Sequence, residues 1–77
     1  MKQFEWKKIF SKNLICLLEE RGMSQAQLAR DSGVSNAMIS DYVNERSVPG
    51  LFAVINIAYA LDVNINDLVD YDERIEC

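Results

Sequence analysis

The chain is short and mildly acidic: its 77 residues suffice for one domain, and its net charge is −4. Hydrophobic residues make up 49% and charged residues 26%, which excludes a disordered chain. The sequence has no histidine, and therefore lacks the commonest general base and transition-metal ligand. Two cysteines are too few for a zinc cluster or a disulfide framework. We expect Cys16 to be a small buried residue and Cys77 a thiol at the chain end.

Neither a membrane span nor a secretory signal is evident in the sequence. No apolar run approaches the roughly 18 residues that a spanning helix needs. The apolar stretch at the N-terminus is interrupted by lysine and glutamate and has no small-residue cleavage site. We therefore expect a cytoplasmic protein without contact to a membrane.

Charge is distributed unevenly along the chain. Residues 1–12 contain four lysines and one glutamate, a net charge of +3, whereas residues 47–77 contain one arginine and six acidic residues, a net charge of −5. A basic end can approach a polyanion while the acidic end is held away from it. The alternative is that the acidic end is a solvated tail that aids solubility.

Helical spacing predicts five helices in an all-α domain. The first carries an apolar stripe (Trp6, Phe10, Leu14, Leu17, Leu18) and ends at Gly22. The second begins after Ser24, an N-cap residue with Gln27 three positions later, and stops at Gly33. The third begins after Ser35 and runs to about Asn44.

A loop with Pro49 separates these helices from two more. The fourth helix has an apolar face that we expect to be core (Leu51, Val54, Ile55, Ile57, Ala58, Leu61). Asn64 caps a short fifth helix, with Asp67 at its third position. We divide the chain into a basic segment (residues 1–9), a helical domain (residues 10–69) and an acidic tail (residues 70–77).

The third helix has two unlike faces. At 100° per residue, one face is apolar and includes Met38, Ile39, Tyr42 and Val43. The other carries short or hydrogen-bonding side chains: Asn36, Ala37, Ser40, Asp41 and Asn44. Short side chains let a helix backbone approach another surface closely, as a helix that enters the major groove of DNA must do.

The stretch from Gly22 onward resembles the XRE-type helix-turn-helix family, the Cro and phage-repressor-like DNA-binding domains. The resemblance covers residues 10–69 without gaps, and these residues carry it: Gly22, Met23, Ser24, Gln25, Leu28, Ala29, Gly33, Val34, Ser35, Ile39, Ser40, Pro49, Ile57, Ala58, Ala60, Leu61, Val63 and Leu68. It implies a compact, five-helix, lambda-repressor-like fold and sequence-specific binding of operator DNA, usually as a two-fold dimer.

The resemblance also implies roles for individual side chains. The residues at base-reading positions are Asn36, Ala37, Ser40 and Asp41. The residues at positions that contact or approach phosphates are Gln25, Asn44, Arg46 and Ser47, and we expect Lys12, near the basic end of the chain, to join them. Asparagine can form two hydrogen bonds to adenine, alanine can touch a thymine methyl group, and aspartate can accept a hydrogen bond from the amino group of cytosine.

Some residues depart from the family pattern. The family often has an arginine where Leu18 stands and a glutamate where Val43 stands, so an ion pair is replaced by two apolar residues. We therefore predict a contact between Leu18 and Val43. Ser32 stands where the family prefers an apolar core residue, and Asp41 brings negative charge toward DNA. These departures predict modest non-specific affinity and a shallow salt dependence.

Phe52 and Tyr59 lie off the expected core arc of the fourth helix. We expect them to form part of a homodimer interface, since the family dimerises through its C-terminal helices. The alternative is that the C-terminal tail or the segment around Trp6 folds over them.

Two function classes remain open. The first is a regulator, expected to be a repressor, that binds an inverted-repeat operator of bacterial or mobile-element DNA and is associated with the nucleoid. The second is a protein-interaction module of antitoxin or anti-repressor type on the same scaffold. An enzyme is not expected, because the sequence has no histidine, no phosphate-binding glycine loop and no paired carboxylates in an evident cleft. No cofactor, metal or small-molecule ligand is indicated.

Overall fold

The structure is a computed structural model that describes the backbone of residues 3–70 and the side chains from Trp6 to Asp70. It contains five helices, α1 (Gln3–Arg21), α2 (Gln25–Ser32), α3 (Asn36–Val43), α4 (Leu51–Leu61) and α5 (Ile65–Val69). Residues 3–70 include no strand. The all-α, five-helix prediction is confirmed, and α1 continues through the position between residues 9 and 10 where we divided the chain.

Helices α2, α3 and α5 begin where the sequence predicts, because polar side chains satisfy backbone N–H groups at their starts. The Ser24 hydroxyl accepts a hydrogen bond from the Gln27 N–H at 3.1 Å, and the Ser35 hydroxyl accepts one from the Met38 N–H at 3.1 Å. At α5, the Asp67 carboxylate accepts from the Asn64 N–H at 3.1 Å as part of a capping box.

Four helices end on a residue in the left-handed conformation, and in three of them, α1, α3 and α4, this residue belongs to a Schellman motif that reverses the chain. After α1 this residue is Gly22, with φ 60°. After α3 and α4 it is Glu45 (φ 61°) and Asp62 (φ 57°), where a glycine would be usual. Each end has the paired backbone bonds of a Schellman motif; in α3, Arg46 N–H donates to the Asp41 carbonyl at 2.8 Å.

The core lies where all five helices meet. Its fully buried large side chains come from every helix: Phe10, Leu14, Leu28, Ile39, Ile57, Leu61 and Leu68. Phe10 stands at its centre, with its ring 5.6 Å from that of Trp6 and 5.9 Å from that of Tyr42. The predicted α1 stripe is thus the core-facing side of α1, with Trp6 and Leu17 packed at its margin.

Polar side chains of α1 bind the C-terminal carbonyl groups of the other helices. The Ser11 hydroxyl donates to the Val43 carbonyl of α3 at 2.6 Å, and Arg21 Nε donates to the Leu61 carbonyl of α4 at 2.6 Å. Asn13 Nδ2 donates to the carbonyls of Leu68 and Asp70, both at 2.9 Å. Since the last carbonyls of a helix lack intrahelical partners, these bonds fasten three helix ends to one long helix.

The predicted core face of α4 was wrong at two positions. Leu51 is 72% exposed and Ile55 is 40% exposed. The buried side of α4 consists of Val54, Ile57, Ala58 and Leu61, so Leu51 and Ile55 fall at its edge, and Leu51 is also the first residue of the helix. In α3, Met38 is likewise exposed at the edge of the apolar face that we assigned to it.

The remaining departures have local explanations. Ser32 is buried although polar, and its hydroxyl accepts a hydrogen bond from the Val34 N–H at 3.2 Å, which satisfies it within the turn. Cys16 is buried, as predicted. The predictions for residues 71–77, including Cys77 and most of the acidic tail, lie outside the described residues.

Candidate nucleic-acid interface

The turn between α2 and α3 holds α3 at a defined angle. Gly33 has φ 76°, and its N–H donates to the Ala29 carbonyl at 3.0 Å. Glycine adopts this left-handed conformation without steric strain, because it has no Cβ atom. Leu28 of α2 and Ile39 and Tyr42 of α3 are buried in the common core. The side of α3 that carries Ile39 and Tyr42 is therefore fixed against the core, and the opposite side of α3 faces outward.

The outward side of α3 is the strip that the sequence predicts to read bases. Asn36 and Ala37 at its start are exposed, and the Asn36 side chain makes no hydrogen bond to the described part of the chain. Ser40, one turn further, is half-buried. The Asn36 amide is therefore available to pair with an external donor and acceptor, as adenine recognition requires.

The far end of the strip is occupied by hydrogen bonds between its own side chains. Arg46 Nε donates to Asp41 Oδ1 at 3.0 Å, and Arg46 Nη2 donates to Ser40 Oγ at 3.3 Å. Asn44 Nδ2 donates to the Ser40 carbonyl at 2.8 Å. The structure thus joins four predicted base or phosphate residues in one cluster, an arrangement that spacing in the sequence does not reveal.

The Asp41 carboxylate also affects its neighbour Tyr42. Burial and, secondarily, the negative charge of Asp41 raise the pKa of Tyr42 above its usual value of 10.0. Tyr42 therefore stays neutral at physiological pH and anchors α3 in the core.

The predicted phosphate residues lie around the strip. Lys12 is exposed and shares a surface depression with Lys8, Ser11 and Glu45, beside the C-terminal end of α3. Gln25 lies at the start of α2, and Ser47 is half-buried in the loop after α3. α1 thus brings two lysines next to the end of α3, although Glu45 offsets part of their charge.

Leu18 and Val43 line one apolar depression together with Ile15, Met23 and Gln25. Leu18 belongs to the core, and Val43 packs against that core from α3. Both partners of the expected ion pair are apolar here, so no charge is buried between the helices. A direct contact between the two side chains stays a prediction.

A second exposed surface lies on α4, away from its buried side. Phe52 is 83% exposed and Tyr59 is 86% exposed, and Leu51 and Ile55 extend the same surface. Ile65 of α5 is exposed beside Tyr59 and Ile55. We call this group of five residues the α4 apolar face. The sequence identified Phe52 and Tyr59 as part of it, whereas it assigned Leu51 and Ile55 to the core.

Within residues 3–70 the structure shows no helix long and apolar enough to cross a membrane. The same residues contain no group of three or more acidic, cysteine or histidine side chains that could hold a metal ion.

The sequence matches the family model HTH_3, described as helix-turn-helix, over residues 17–68. The fold is similar to that of an HTH_3 family transcriptional regulator from Vibrio cholerae, with 25% identity and a TM-score of 0.84 over 87% of this chain. The chain spans only 38% of that regulator's length.

A second similar structure is the SOS-response transcriptional repressor LexA from Eubacterium rectale. It is 25% identical to this chain, with a TM-score of 0.81 over 100% of this chain and 81% of the other. No curated protein sequence matches the chain significantly.

Proposed function

The chain belongs to the helix-turn-helix family HTH_3, and we propose that it is a transcriptional regulator that binds double-stranded DNA in a sequence-specific manner. The two similar structures described above are transcriptional regulators, one of them a repressor. We propose that this chain also acts as a repressor and that it binds an inverted-repeat operator as a homodimer.

The observation that carries this proposal is the exposed, short-residue strip on α3. Asn36 and Ala37 project from a helix whose opposite side is buried, so the helix is rigidly held while its outer surface is open. A rigid helix with small outward side chains fits the width of the major groove. In this arrangement Asn36, Ala37 and Ser40 face the base edges, and Gln25, Asn44, Ser47 and Lys12 approach the phosphates.

The α4 apolar face supports dimerisation. Its aromatic side chains are exposed, and exposed apolar surface of this kind is typical of association sites. A two-fold dimer would place two copies of α3 about 34 Å apart, one helical turn of DNA, which corresponds to an inverted repeat.

Selection of binding sites from random duplexes tests the proposal. We expect the full chain to select one inverted repeat, with affinity that falls as salt rises. Asn36→Ala should then weaken binding to the selected site by about 1–3 kcal/mol and relax the preference at one base pair.

The matched control is Asn56→Ala, which removes the same amide from an exposed position of α4. This variant should select the same site as the unaltered chain. If the chain selects no duplex and instead captures a partner protein tightly, the DNA-binding proposal is wrong and the interaction-module alternative stands.

A further inference from the structure

We infer that Arg46 reads a guanine base and that Asp41 and Ser40 are positioning residues that hold its guanidinium for this task. This inference rests on the proposed DNA-binding function and refines it. The family resemblance alone would assign Arg46 to a phosphate and Asp41 to a base. The hydrogen bonds between these residues favour the different division of roles.

The first argument is the location of the guanidinium. Arg46 follows the end of α3, yet its side chain turns back to within 3.0 Å of Asp41 and 3.3 Å of Ser40. Both of those residues lie on the outward side of α3. The left-handed backbone at Glu45 and the hydrogen bond from the Arg46 N–H to the Asp41 carbonyl produce this reversal. The guanidinium is thereby held on the surface that faces the bases.

The second argument is the number of donors left over. An arginine guanidinium has five N–H donors in a fixed plane. Nε and one N–H of Nη2 are used by Asp41 and Ser40, which leaves three donors, on Nη1 and Nη2. The side chain is 60% exposed, so these donors are open to a ligand. Two N–H groups side by side match the O6 and N7 acceptors of guanine.

The third argument is electrostatic. A phosphate contact gains its strength from the net positive charge of the side chain. The carboxylate of Asp41, 3.0 Å from Arg46 Nε, offsets that charge. Reading a base edge depends instead on the direction of the donors, which the carboxylate helps to fix. The pair is therefore better suited to base recognition than to neutralising the backbone.

Binding measurements with the full chain test this inference. The selected duplex and each of its single base-pair variants are compared for the unaltered chain, Arg46→Lys, Asp41→Ala and Asp41→Asn. We expect the unaltered chain to prefer one G·C pair by roughly tenfold or more. Arg46→Lys and Asp41→Ala should lose this preference and keep those at the other positions. Asp41→Asn, which keeps an acceptor oxygen but no charge, should retain part of it.

Charge alone predicts a different pattern. If Asp41 only repels DNA, then Asp41→Ala and Asp41→Asn bind every duplex more tightly and to the same extent, with the G·C preference intact, and the inference is overturned. Asp31→Ala removes the same charge from an exposed position of α2 and should leave the preference unchanged. If the unaltered chain selects no duplex at all, the proposed function falls together with this inference.

A measurement without DNA separates the two proposals. In nitrogen-15 NMR spectra, the Arg46 Nε–H signal should exchange slowly with water in the unaltered chain and faster in Asp41→Ala. The Arg21 Nε–H, which donates to the Leu61 carbonyl, is an internal reference that should not change. An Arg46 signal that is identical in both proteins would contradict the positioning role whether or not the chain binds DNA.

Discussion

At the scale of single residues, backbone conformation sets the end of the proposed DNA-reading helix. Glu45 occupies the left-handed position of the Schellman motif after α3, with φ 61°. A side chain with a Cβ atom is strained there by roughly 1–2 kcal/mol, because its Cβ approaches the following carbonyl oxygen. The chain tolerates this strain at the point where Arg46 turns back over α3.

Glu45→Gly should therefore stabilise the protein. The removal of steric strain is offset in part by the greater freedom of glycine in the unfolded chain, which leaves a gain of about 0.5–1 kcal/mol. Urea unfolding at neutral pH measures the difference. Glu45→Ala removes the same carboxylate but keeps the Cβ atom, so equal stability of the Gly and Ala variants would show that the backbone strain contributes nothing.

At the scale of secondary structure elements, α1 organises the domain through polar as well as apolar contacts. Its apolar stripe enters the core, while Ser11, Asn13 and Arg21 bind the terminal carbonyls of α3, α5 and α4, respectively. Asn13 is buried, and its amide gives the α5 carbonyls the hydrogen bonds that water cannot supply at this position. The short helix α5, with five residues, depends most on such external support.

Asn13→Ala should destabilise the domain by about 1–3 kcal/mol, because the carbonyls of Leu68 and Asp70 lose their shared donor. Chemical unfolding measures this loss. Asn56→Ala, at an exposed position, should cost less than about 0.5 kcal/mol. A similar small loss for both variants would mean that water replaces the Asn13 amide at no cost.

At the scale of the whole molecule, the exposed surfaces are of two kinds. The outer strip of α3 is polar and small, and the α4 apolar face is aromatic and aliphatic. The net charge of −4 is spread so that lysines of α1 lie beside the end of α3. This separation supports the proposal that one surface binds DNA and the other a second copy of the chain.

Joint replacement of Phe52 and Tyr59 by serine should weaken self-association by at least about tenfold, since aromatic side chains dominate interface energies. Sedimentation velocity measures the oligomeric state, and binding to a single half-site shows whether DNA recognition survives. Met38→Ser removes an exposed apolar side chain from α3 instead and should leave the oligomeric state unchanged. Self-association that persists in the double variant would locate the interface elsewhere.

The sequence by itself determined the elements and the motif. Cap residues such as Ser24 and Ser35 act on backbone groups two or three positions away, and the apolar stripe of α1 has helical spacing, so both can be recognised locally. The exposed strip of α3 was predictable for the same reason. The motif residues were also sufficient to identify the family.

Only the tertiary structure decided which apolar side chains are exposed and how the polar ones pair. Leu51 and Ile55 have the spacing of core residues, but the position of α4 against its neighbours leaves them at the edge of the buried side. Asp41 and Arg46 are five residues apart, a spacing that would hold them on different sides of a continuous helix. They meet because the chain reverses at Glu45, and such a reversal at a residue other than glycine has no clear mark in the sequence.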